Sequence, residues 1–245
     1  MPNHTIFNER PESQDRALKV IEKLGYTIVP RSEAEKKRGS RRAVLFTEEL
    51  QSFLSHQTYQ FGTEERYFSG GSIAKAMQTM DQFSAAGLYA ENKTIYELLC
   101  AGKSMEEDLP DGTRQSFDLS FIDFEHPENN TFQVTDEFEV ERPNGKFARP
   151  DIVVLVNGIP LVVSECKKSS VDVMEGVNQN IRNWGEEYIP HLFRYSQLVI
   201  AVNPDKVLYG TCGTPAKYFV SWHEDDKEWL NNWCRKCSPD GQIKE

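Results

Sequence analysis

The stretch Asp151-Ile152-Val153-Val154-Leu155-Val156-Asn157-Gly158-Ile159-Pro160-Leu161-Val162-Val163-Ser164-Glu165-Cys166-Lys167 decides how this chain folds. Two short, β-branched runs, 152–156 and 161–163, are bounded by turn residues and read as buried strands. Asn157-Gly158 between them is among the strongest hairpin signals a sequence offers. Acidic residues stand at both ends of this hairpin, Asp151 after Pro150 and Glu165 after Ser164.

The residue types at those ends suit one chemistry. A hard divalent cation takes carboxylate and carbonyl oxygens, so Asp151, Glu165 and the main-chain carbonyl of Cys166 could hold Mg²⁺, with Mn²⁺ as a substitute, and leave positions for water and phosphate. Strand side chains alternate, which puts Lys167 on the same face as Glu165. An ammonium there can orient an attacking water and stabilise charge on a phosphate. Without a cation, two carboxylates about 4 Å apart repel by roughly 4 kcal/mol at an effective dielectric of about 20.

Register sharpens the reading. A loop of Asn157-Gly158 alone would set Asp151 opposite Ser164 and turn Glu165 to the far face. A three-residue loop, Asn157-Gly158-Ile159 with Gly158 left-handed, sets Asp151 opposite Glu165. The carboxylate pair therefore predicts an odd or bulged connection.

From Arg149-Pro150-Asp151 through Glu165-Cys166-Lys167, the chain resembles the PD-(D/E)xK nuclease signature as it occurs in the N-terminal domain of type I restriction endonuclease R subunits. Phe121-Ile122-Asp123-Phe124 with Pro127, Asn130 and Phe132 is similar to the family's segment ahead of the hairpin. Ile189-Pro190-His191-Leu192-Phe193, then Tyr209-Gly210-Thr211, Phe219 and Trp222, resemble its later segments. The resemblance implies Asp151 and Glu165 as metal ligands, Lys167 as the catalytic lysine, and Gln179 as the DNA-handling glutamine of a QxxxY element. Asn183 stands where that element has tyrosine. It also implies a further acidic ligand near the N-terminus, Glu9, with Glu12 as competitor.

The fold implied is α/β, a restriction-endonuclease-like mixed sheet flanked by helices with a helical N-terminal portion. We expect one domain over residues 1–245, with a nuclease core at about 110–225, as a fragment of a longer motor subunit. Helices are expected over 12–24 (closed by Gly25), 72–84, 94–99 and 171–188, and strands over 117–124, 131–140, 196–202 and 217–222. The resemblance further implies double-stranded DNA as substrate, modification and specificity subunits as partners, and ATP used only by a motor absent from this chain.

Composition bounds these expectations. No apolar run approaches the ~20 residues that span a bilayer, which with the lack of a secretory pattern predicts a cytoplasmic protein. Five cysteines at irregular spacing suit a reducing compartment. A net charge of −10 opposes unaided capture of a phosphate backbone, so the domain alone should bind DNA weakly. The basic cluster Lys36, Lys37, Arg38, Arg41 and Arg42 adjoins Glu33 and Glu35 and reads as a solvated loop rather than a DNA track.

Other motifs are weaker. Ala101-Gly102-Lys103-Ser104 lacks the earlier glycine of a phosphate loop, and Cys234-x-x-Cys237 lacks a second pair. The histidines show no zinc spacing; His126, beside Asp123 and Glu125, is the one whose segment leads toward the hairpin. Alternatives to the restriction reading are a standalone DNA-repair or mobile-element nuclease, and a degenerate nuclease fold used as a docking module.

Overall fold

The computed structural model describes residues 13–82 and 86–222. It opens with α1 (Asp15–Lys23), β1 (Thr27–Ile28), α2 (Arg31–Arg38), α3 (Thr47–Ser55), the ribbon β2 (Thr58–Phe61) and β3 (Glu64–Tyr67), α4 (Gly70–Asp81) and α5 (Leu88–Ala101). A second ribbon, β4 (Lys103–Asp108) and β5 (Arg114–Leu119), precedes β6 (Phe132–Asp136) and the small pair β7 (Val140–Glu141) and β8 (Phe147–Ala148). The central hairpin is β9 (Ile152–Val156) and β10 (Ile159–Cys166), followed by α6 (Val173–Asn183), α7 (Pro190–Phe193), β11 (Leu198–Val202), β12 (Val207–Gly210) and β13 (Val220–Ser221). A seven-stranded sheet runs β1-β6-β9-β10-β11-β12-β13, with β1/β6 and β10/β11 parallel and its other pairs antiparallel. This is the expected mixed sheet flanked by helices.

Alternation along the hairpin feeds two apolar layers. Val153, Leu155, Ile159 and Val163 face a large core that includes Val173 and Val177 of α6 and Leu50 and Leu54 of α3. Ile152, Val154 and Cys166 face a smaller one built on Leu18 of α1 and Val134 of β6. Buried on both faces, β9 is apolar throughout, as a central strand must be.

The turn corrects one expectation. Val156 pairs directly with Ile159, and Asn157 and Gly158 have φ of 51° and 78°, so the loop has two residues with both φ positive, as a type I′ turn requires. The expected three-residue loop is not there. The parity change instead comes from a bulge between Pro160 and Val162, after which Ser164 pairs with Ile152 and Glu165 falls opposite Asp151. Pro160 has no N–H to give the ladder, and a bulge is where a strand tolerates proline. The turn itself is anchored. Asn157 Nδ2 donates to the Phe121 carbonyl at 3.0 Å, its Oδ1 accepts from Thr131 N at 2.8 Å, and a Cβ on Gly158 would run into the Phe46 carbonyl.

Several boundaries also shift. Gly25, φ 95°, ends the first helix as expected, and Ser69 accepts from Ser72 N at 3.2 Å to start α4 at Gly70. The strand expected over 117–124 is β5 ending at Leu119, and the one over 131–140 stops at Asp136 because Glu137 takes φ 48°. The last expected strand shrinks to β13, and the ribbon β2/β3 was not anticipated in a helical N-terminal region. Gly102, φ 70°, caps α5, and Lys103-Ser104 open β4, so that string forms no phosphate loop.

Candidate active site

The hairpin's open end gathers the expected triad. Glu165 is fully buried on the α6 face, where its Cβ lies 3.5 Å from the position a Cβ on Gly176 would occupy. A Cβ there would also meet Ala201 Cβ at 3.1 Å, so α6 packs tightly at this glycine. Asp151, just before β9, sits opposite Glu165 and accepts from the Cys166 backbone N at 2.7 Å through Oδ2. Lys167 follows β10 with its Nζ 3.8 Å from Glu165 Oε2 and 2.7 Å from Gln179 Oε1, to which it donates.

The acid pair is electrostatically loaded. Burial first, and the Asp151 charge second, push the Glu165 carboxyl well above the usual carboxylate range, with Lys167 acting in the opposite direction. Glu165 Oε2 is buried without a hydrogen-bond partner. An unsatisfied buried carboxylate oxygen beside a second carboxylate is the donor arrangement that a hard cation relieves, so these residues fit Mg²⁺. Among the described residues no cluster of three His, Cys, Asp or Glu side chains could hold a metal. The Cys166 thiol points to the α1 side, and burial raises it to about 12, so its sulfur is not a ligand candidate.

Two contacts at the start of the described chain were not anticipated. Ser13 Oγ donates to the Lys167 carbonyl, and Gln14 Nε2 donates to the Asp151 carbonyl at 3.0 Å. They tie the approach to α1 onto both strands of the site. Glu9 and Glu12, expected as acidic ligands, lie outside the described residues, as does the Cys234/Cys237 pair. Asn183, at the end of α6, donates through Nδ2 to Glu165 Oε1 at 3.3 Å. Its only sequence signal is its spacing four residues beyond Gln179.

A groove of about 490 Å³ opens beside Lys167 and is lined by Val171, Glu175, Asn178, Gln179 and Arg182. A larger cleft, about 770 Å³, includes His126, Asp123 and Phe124. It lies toward the hairpin turn, six residues of strand or roughly 20 Å from Asp151, so His126 does not approach the triad. There Asp123 binds Asn129 Nδ2 at 2.8 Å.

The basic cluster belongs to an ion-pair lattice. Lys37 pairs with Glu49, Arg41 with Glu139 at 2.8 Å, and Arg42 with Glu141 at 3.2 Å, while Arg38 lies buried over the Phe138 ring. The sequence reading of a solvated loop gives way to the last turn of α2 and its following segment, tied by ion pairs to Glu139 and to Glu141 of β7.

The model for the type I restriction enzyme R protein N terminus matches residues 6–218. A putative type I restriction enzyme MjaIXP endonuclease subunit of Methanocaldococcus jannaschii is 27% identical over 234 residues, and the type I restriction enzyme HindI endonuclease subunit of Haemophilus influenzae is 27% identical over 231. Each match covers 91% of this chain and 21% of the relative. The SsaAORF53P endonuclease subunit of Staphylococcus saprophyticus is 41% identical over 85 residues, 35% of this chain and 9% of that protein. The chain thus spans about a fifth of the length of the first two relatives, and it belongs to the family of type I restriction enzyme R protein N-terminal domains.

Proposed function

We propose that this domain is a Mg²⁺-dependent endonuclease that hydrolyses DNA phosphodiester bonds for a type I restriction system. The observation that carries the reading is the fully buried Glu165 carboxyl beside Asp151, its Oε2 without a hydrogen-bond partner and 3.8 Å from Lys167 Nζ. Asp151, Glu165 and the Cys166 carbonyl would hold Mg²⁺ or Mn²⁺, which when bound acidifies a water and neutralises phosphate charge. Lys167, aimed by Gln179, presents its ammonium at the mouth of the groove along α6, where it orients the attacking water and stabilises charge on the scissile phosphate. Packing of α6 on Glu165 keeps bulk water off that carboxylate, which strengthens each charge interaction there.

The domain would act within a longer motor subunit, as a single unit over residues 1–245 with its core at about 110–225. Double-stranded DNA would be delivered by ATP-driven translocation, with modification and specificity subunits as partners in the cytoplasm. The net charge of −10 supports delivery over unaided capture. No helix among the described residues is long and apolar enough to cross a membrane.

The test is Asp151→Ala, Glu165→Ala and Lys167→Ala in the assembled system. Each should reduce DNA cleavage by at least about 10²-fold while translocation continues. Undiminished cleavage in all three removes the assignment. Cleavage of plasmid or branched DNA by the purified chain without partners would favour a standalone repair nuclease instead.

A further inference from the structure

Helix α6 touches Glu165 of β10 and Lys167 just beyond it. Gln179 meets Lys167 and, one turn later, Asn183 meets Glu165. The spacing matches by construction. Four helical residues advance about 6 Å and two strand residues about 6.6 Å, and the contacts run in opposite order along the two elements. That order is what a helix connecting the parallel strands β10 and β11 requires.

We infer that Asn183 is a positioning residue that fixes the Glu165 carboxylate for metal binding; this rests on the nuclease reading above. Asn183 is 3% exposed, and its amide holds Oε1 at 3.3 Å. With Oε1 engaged, the carboxylate cannot rotate freely, and Oε2, 3.8 Å from Lys167 Nζ, is left as the oxygen without a hydrogen-bond partner. Gly176 seats the helix so that the amide reaches this atom. Hydrogen-bond partners of metal-binding carboxylates set ligand orientation and typically control affinity by about 10–100-fold.

The experiment is calorimetric titration of Mn²⁺ into the 245-residue chain, with thermal unfolding recorded for every variant. Asn183→Ala is expected to weaken Mn²⁺ binding by about 10–100-fold, and Glu165→Gln to abolish it. Asn180→Ala serves as the control, because Asn180 on the same helix donates to the Ile200 carbonyl at 2.9 Å without touching the acids. It should lower the unfolding temperature yet keep wild-type affinity. Should Asn183→Ala not fold, Asn183→Ser carries the same expectation. Affinity within twofold of wild type in the folded Asn183 variant, or equal losses in the Asn180 and Asn183 variants, overturns the positioning role while leaving the metal site standing. Absence of Mn²⁺ binding by the wild-type chain overturns both.

Discussion

Asp151 stands across from Glu165 because Leu161 is left unpaired in the neighbouring strand. Closing the bulge without changing the chain length, with Pro160→Val as the variant, should restore plain pairing after the two-residue turn, set Ser164 against Asp151 and turn Glu165 to the α1 face. We expect loss of Mn²⁺ binding in calorimetry together with a lower unfolding temperature. A Pro160→Val variant that binds Mn²⁺ like wild type would show that the bulge does not set the pair.

Gly176 governs how closely α6 lies over that pair, since an added Cβ would meet Ala201 Cβ at 3.1 Å. Gly176→Val should lift the helix and cost about 1–3 kcal/mol, read by urea unfolding. Gly176→Ala sets a helix-propensity gain of up to about 1 kcal/mol against the same tight contact, so it should come out near neutral. Stabilisation by the valine variant would mean the helix has room that the structure denies.

His191 supplies a pH dependence. Burial, then the charges of Arg194 and Arg42, lower its pKa from 6.5 to about 4, and its Nε2 is buried without a partner. The unfolded chain takes up a proton below about pH 6.5 while the folded chain refuses it until about pH 4. Stability from this residue is therefore complete above pH 6.5 and falls as pH drops from 6.5 to 4, by up to about 3 kcal/mol. The difference in unfolding free energy between His191→Gln and wild type should change across that window. A difference constant from pH 7 to pH 4 would contradict the neutral, buried imidazole.

Much of this site was legible in the residues themselves. The Asn157-Gly158 turn, the β-branched runs and the acids at the hairpin ends depend on local chemistry that sequence displays directly. The need for a parity change was also readable, but its location was not: attention to the missing N–H of Pro160 would have moved it from the loop into the strand. Asn183 was hidden for another reason. Its value comes from a helix-to-strand contact across the fold, and only its spacing from Gln179 hinted at it. The basic cluster misled because its acidic partners Glu139 and Glu141 lie about a hundred residues away.

The most direct measurement is anomalous diffraction from crystals of this chain soaked in Mn²⁺. The proposed chemistry requires a peak bonded to carboxylate oxygens of both Asp151 and Glu165 and to the Cys166 carbonyl, at about 2.0–2.2 Å. A map with no peak between the two acids, or with the metal held elsewhere, would contradict it.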